Sequence, residues 1–182
     1  MNTRIYLMGY MGSGKSTLGK KIASAMDFQF IDLDKAIEEN THQTIAEIFN
    51  DFGEAHFRKL ETKILKEVSK KEQVVIALGG GTPCFNENME IIKSTGLSVY
   101  IEIPPKGLLN RLEHSKNIRP KIKEIKGQIL LDYITKELTE RELYYSQADL
   151  TVDGLNMNKH EFIKLRRSII YLFILVIIIV CE

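Results

Sequence analysis

The sequence predicts an α/β fold in which a parallel sheet carries helices on both faces. Three observations lead there. Short apolar runs recur along the chain, several without polar alternation; helical stretches separate them; and a glycine-rich loop joins the first run to the first helical stretch. Strands buried on both faces lose the alternation of half-exposed ones. Strand and helix in alternation then build a parallel sheet through right-handed crossovers. Such a sheet presents ligands at the carboxyl ends of its strands.

Residues 5–8 form the first strand, and a helix follows over 15–26. The second strand is predicted at 28–33, with helices at 44–51 and 56–71. In the latter, Phe57, Leu60, Ile64, Leu65 and Val68 recur at three- and four-residue steps and make one apolar stripe. Residues 74–78 are the third strand, ending in three glycines. A helix at 87–94, a strand at 97–103 and a helix at 106–112 come next. The segment 113–127, EHSKNIRPKIKEIKG, is polar and basic with one proline, and reads as a solvated loop or a mobile lid. A helix at 128–145, a strand at 150–152 and a last helix from about 158 complete the chain.

The 182 residues, 44% hydrophobic and 27% charged, suit one folded domain spanning 1–182 and exclude a disordered, collagen-like or disulfide-scaffold chain. Lys and Arg total 25 against 24 Asp and Glu, so a net charge of +1 makes no electrostatic case for nucleic acid. Cys84 and Cys181 lie far apart without metal-ligand spacing, which fits a reducing, cytoplasmic setting. The N-terminus lacks a signal-peptide pattern. Behind Lys164, Arg166 and Arg167, an uninterrupted apolar run of 13 residues extends from Ile169 to Cys181. A membrane-spanning helix needs roughly 20. Three readings rank in this order: a last helix packed on the sheet, an aberrant terminus, or a short membrane-touching tail. No stable membrane insertion is expected.

The stretch Gly9-Tyr10-Met11-Gly12-Ser13-Gly14-Lys15-Ser16-Thr17 matches the phosphate-binding pattern G-x-x-x-x-G-K-[ST] between a strand and a helix. Gly12 and Gly14 let the backbone wrap until successive N–H groups face phosphate oxygens. Lys15 adds a mobile positive charge, the helix adds its N-terminal donors, and Ser16 is placed to coordinate Mg²⁺. ATP or GTP with Mg²⁺ is the expected ligand. Asp32 and Asp34, two apart at a strand end, should face one pocket. One carboxylate would serve the metal shell, and the other would orient or deprotonate a substrate hydroxyl. Alternatively, Asp there simply caps the following helix.

Arg58 and Glu61 are helix-surface neighbours, so Glu61 can orient the guanidinium. Gly79, Gly80 and Gly81 let a ligand approach the backbone, or make a sharp turn. Arg58, Arg111, Arg119 and Arg141 are dispersed, but the last three come from the lid and its borders, where closure could bring them onto phosphate or carboxylate, which arginine pairs in bidentate fashion.

Together the phosphate loop, F-I-D-L-D at 30–34, E-I-F-x-x-x-G-E-x-x-F-R-x-x-E from Glu47 to Glu61, G-G-G, Arg119-Pro120, and Arg141 ahead of Tyr144 and Ala148-Asp149 resemble the shikimate kinases. The resemblance covers about residues 5–153. It implies a three-layer P-loop kinase fold with a five-stranded parallel sheet and a mobile lid, and ATP-dependent phosphorylation of the 3-hydroxyl of shikimate. A cytoplasmic monomer is also implied. By matching position, Gly12, Ser13, Gly14, Lys15, Ser16, Thr17, Arg111 and Arg119 would hold ATP, and Ser16 and Asp32 would serve Mg²⁺. Asp34, Arg58, Gly79, Gly80, Gly81 and Arg141 would bind shikimate, with Arg58 and Arg141 on its carboxylate. Lys15, Asp34 and Arg119 would carry catalysis, and Phe49 and Phe57 would wall the ring.

Two departures stand out. Leu143 replaces a proline the family usually carries, which bears on the aim of Arg141, and the apolar terminus replaces an amphipathic helix. A gluconate or nucleoside monophosphate kinase is the enzymatic rival. A nucleotide-binding module that has lost turnover, anchored by its tail, is the rival from another class.

Overall fold

The computed structural model describes residues 3–115, 122 and 125–180. Five strands, β1 (Arg4–Met8), β2 (Gln29–Asp32), β3 (Val74–Ala77), β4 (Leu97–Glu102) and β5 (Leu150–Asp153), form one sheet in the order β2-β3-β1-β4-β5. Every pair is parallel, with Tyr6 of β1 opposite Ile76 on one side and Ser98 on the other. The central strands are buried throughout, which explains their unbroken apolar runs. Alternate residues enter opposite cores: Tyr6, Met8 and Ile76 on one face, Ile5, Leu7 and Val75 on the other.

Helices α1 (Lys15–Met26) and α7 (Lys159–Val180) cover the second face, while α2 (Leu33–Thr41), α3 (Ile45–Val68), α4 (Asn88–Thr95) and α6 (Gly127–Tyr145) lie on the first. Helix α5 (Pro105–Glu113) packs with α6 and Tyr10 in a smaller cluster beside the phosphate loop.

One element differs from the sequence reading. Helix α2 was not anticipated, because only Leu33 and Ile37 are buried in it and Leu33 reads as the end of the preceding apolar run. The two helices expected at 44–51 and 56–71 are present within α3, meeting at a kink at Gly53, whose φ of 76° and ψ of 173° leave helical space. The start of α3 is secured by a capping box between Thr44 and Glu47. The last helix is packed on the sheet through Leu165 and Ile169, both buried, but Tyr171 is 65% and Ile174 50% exposed. Among the described residues no helix is long and apolar enough to cross a membrane.

Candidate active site

The junction of β1 and α1 builds the phosphate loop. Gly12 and Gly14 hold φ of +80° and +98°, which side chains rarely adopt. Ser13 N–H donates to Tyr10 O at 3.1 Å and closes the turn. Gly14 caps α1 without a side chain, leaving the helix's positive end open to an anion. Lys15 Nζ folds over the loop and donates to Gly9 O at 2.7 Å and Tyr10 O at 2.9 Å. Thr17 follows in the first turn of α1. Arg111 of α5 donates from Nη1 to Ser13 O at 3.0 Å and from Nη2 to Gly154 O at 2.7 Å. It therefore ties the phosphate loop to the loop after β5.

Ser16 Oγ donates to Asp32 Oδ2 at 2.7 Å, which brings a hydroxyl and a carboxylate to one point beside the loop. Among the described residues no three His, Cys, Asp or Glu side chains gather to hold a metal unaided. Two hard oxygen donors fit a Mg²⁺ that takes its remaining ligands from phosphate and water.

The opposite lip is the turn at Gly79, Gly80 and Gly81 after β3. None of the three has a left-handed backbone; what each supplies is space. A β-carbon at Gly79 would lie 2.9 Å from Asp34 Oδ1 and 3.0 Å from Glu61 Oε1. One at Gly80 would lie 3.3 Å from Arg141 Nη1 and 3.5 Å from Met11 N of the phosphate loop, and one at Gly81 2.8 Å from Arg58 Nη2. The turn thus gathers Asp34, Arg141 and Arg58 and abuts the phosphate loop.

Arg58 is clamped. Its guanidinium donates to Glu61 at 2.8 Å and Glu54 at 3.0 Å and lies 4.0 Å from the Phe85 ring centroid. Glu61, 1% exposed, also accepts from Thr82 Oγ1 at 2.5 Å. Burial pushes the Glu61 carboxyl above its ordinary pKa, with Arg58 and Thr82 pulling the other way. Arg141 pairs with Glu137 one turn earlier and sits 5.1 Å from the Tyr10 ring centroid. Burial opposes its charge, but Tyr145 and Glu137 outweigh that and hold its pKa above the ordinary value. Burial likewise pushes the Cys84 thiol up to about 11, which disfavours its thiolate. A groove of about 510 Å³ bounded by Glu102, Leu138, Glu142 and Leu155 lies away from this centre and includes none of these residues.

With this geometry stands a family match. The model for shikimate kinase matches residues 11–169. The chain belongs to the shikimate kinase family. The shikimate kinase of Bacteroides fragilis is 47% identical over 146 residues, covering 80% of this chain and 82% of that one. The crystal structure of shikimate kinase from Bacteroides thetaiotaomicron superposes with a TM-score of 0.86 at 40% identity, covering 94% and 98% of the two chains. That of Acinetobacter baumannii shikimate kinase in complex with shikimate gives 0.79 at 32% identity, covering 94% and 93%.

Asp34 requires a correction within the family frame. Asp32 ends β2 and is the N-cap residue of α2, while Asp34 lies in the first turn of α2, so strand parity does not pair them. Asp32 meets Ser16, and Asp34 comes against Gly79 in the turn that abuts the phosphate loop. Phe49 and Phe57 pack 4.6 Å apart between ring centroids, at the edge of the core under Arg58. Leu143 is 72% exposed on α6, and the Arg141 side chain meets Glu137 and the Tyr10 ring. Arg119 falls outside the described residues.

Sequence reasoning missed Phe85, Thr82, Glu137 and Tyr145. Glu137 carried a signal, since it precedes Arg141 by four residues on one helix. Tyr145, four residues after Arg141, carried the same signal for that neighbour, but its reach to Gly80 and the places of Phe85 and Thr82 come only from tertiary packing.

Proposed function

We propose that this chain transfers the γ-phosphoryl group of ATP to the 3-hydroxyl of shikimate, giving ADP and shikimate 3-phosphate. The observation that carries the reading is the Gly79–Gly80–Gly81 turn, which faces two arginines and a carboxylate while touching the phosphate loop. An acceptor with one carboxylate and several hydroxyls suits that set. Its carboxylate would pair with Arg58 and Arg141, and Asp34 would orient the reacting hydroxyl and receive its proton. The acceptor oxygen and the terminal phosphate then lie side by side, and phosphoryl transfer depends on such positioning and on charge neutralisation more than on covalent chemistry.

On the nucleotide side, N–H groups of Gly12 through Thr17 would hold the phosphates. Lys15 would exchange the loop's carbonyls for phosphate oxygens, and Arg111 would border the base. Ser16 and Asp32 would hold Mg²⁺, which would supply positive charge to offset that of the phosphates. Arg119, assigned by resemblance, would reach the phosphates as the segment 113–127 closes. A cytoplasmic monomer forming a single domain is the proposed setting.

The test is ADP release by the full chain in Mg-ATP with and without shikimate. Release that requires shikimate and collapses in Arg58→Ala supports the reading. Tight ATP binding without acceptor-dependent release would overturn it.

A further inference from the structure

Arg141 is held by more than its ion pair. Tyr145, the last residue of α6, is wholly buried, and its ring stacks on Tyr100 at 4.9 Å between centroids. Its hydroxyl donates to the carbonyl of Gly80, and the Arg141 guanidinium, with Nη1 3.3 Å from where a β-carbon on Gly80 would stand, faces the same oxygen. A phenol has one proton to give and lone pairs to accept with, so this oxygen can receive a guanidinium N–H while it donates to Gly80. That oxygen ties the middle glycine of the turn to the cation beside it. Burial raises the Tyr145 pKa well above its ordinary value, the nearby Arg141 only partly opposing this, so the hydroxyl keeps its proton. Glu137 pairs with the guanidinium and the Tyr10 ring lies against it, but neither ties it to Gly80. The Tyr145 hydroxyl does.

We propose that Tyr145 is a positioning residue for the acceptor's carboxylate: its hydroxyl fixes Arg141 against Gly80 in the orientation that receives the anion. The proposal rests on the shikimate reading of the site.

The test compares the full chain with Tyr145→Phe, which keeps the ring and its stack, using shikimate and its methyl ester as acceptors. Loss of one hydrogen bond to a charged group should raise KM for shikimate about tenfold. Both kcat and KM for ATP should stay within about twofold, and the preference for the acid over the ester should narrow by a similar factor. A purely structural role would not single out the acid. Tyr100→Phe removes a hydroxyl that makes no hydrogen bond among the described residues and should leave all constants unchanged. The Arg141 Nε–H resonance of the ligand-free protein should shift in Tyr145→Phe, which gives a readout independent of turnover. Wild-type KM and acid preference in Tyr145→Phe, an unmoved Arg141 resonance, or parallel loss for both acceptors would each overturn the proposal. Absence of shikimate turnover in the unsubstituted chain would overturn the functional reading, and the proposal with it.

Discussion

Replacing Gly81 by alanine adds one methyl group where the structure has no room for it. The new carbon would stand 2.8 Å from Arg58 Nη2, 3.1 Å from Nη1 and 3.2 Å from Cζ. The guanidinium would have to retreat by about 0.6 Å or more to reach ordinary contact. Arg side chains usually yield cheaply, but this one is bonded to Glu54 and Glu61 and stacked on Phe85. Backbone conformation adds no cost, because Gly81 has φ −94° and ψ −11°, open to any residue. Alanine also restricts the unfolded chain, which favours folding by about 0.4–1 kcal/mol and offsets part of the overlap. The damage should therefore fall on function. Misplacing a positioning group by about 1 Å can cost about 10²-fold, so kcat/KM for shikimate is expected to fall about 30- to 100-fold while KM for ATP and the melting temperature barely move. Steady-state kinetics with each substrate varied in turn, beside thermal unfolding, reads all three. Unchanged kcat/KM for shikimate, or an equal loss on the ATP side, would refute the reasoning.

Gly53→Ala should behave in the opposite sense. No atom lies within 4 Å of its added carbon, but φ 76° and ψ 173° is territory for glycine, so stability should fall by about 1–3 kcal/mol in urea unfolding with unchanged kinetics. Arg111→Ala unties the phosphate loop from Gly154 and should raise KM for ATP about tenfold with little change for shikimate, measured by the same kinetics. Glu61 gives a pH signature. Burial raises its folded pKa, so the folded state binds the proton more tightly than the unfolded chain does. Its contribution to stability is then full below the ordinary Glu value and lost as pH rises through the raised one. Urea unfolding from about pH 4 to pH 8 should show this fall, and Glu61→Gln should flatten it while raising KM for shikimate.

The phosphate loop was legible because its chemistry is local: nine consecutive residues set the backbone path, the charge and the helix start. The sheet was legible because β1 and β3, buried on both faces, carry unbroken apolar runs. The Arg58–Glu61 pair followed from helical spacing alone. What lay beyond reach was contact between distant segments. Thr82 meets Glu61, Phe85 stacks under Arg58, and Tyr145 reaches Gly80 across 65 residues of sequence. Helix α2 escaped because only Leu33 and Ile37 are buried in it and Leu33 blends into the strand before it, and this put Asp34 at a strand end instead of in a helix. The spacing of Gly79, Gly80 and Gly81 announced a close approach but not that each glycine would face a different side chain.

The most direct test offers the full chain equal concentrations of shikimate, gluconate and AMP with limiting Mg-ATP, and follows phosphorus by NMR to see which acceptor carries the phosphoryl group. A single new phosphomonoester signal matching shikimate 3-phosphate, with gluconate and AMP untouched, is the expected result. Phosphate on gluconate, conversion of AMP to ADP, or no transfer at all would contradict the account.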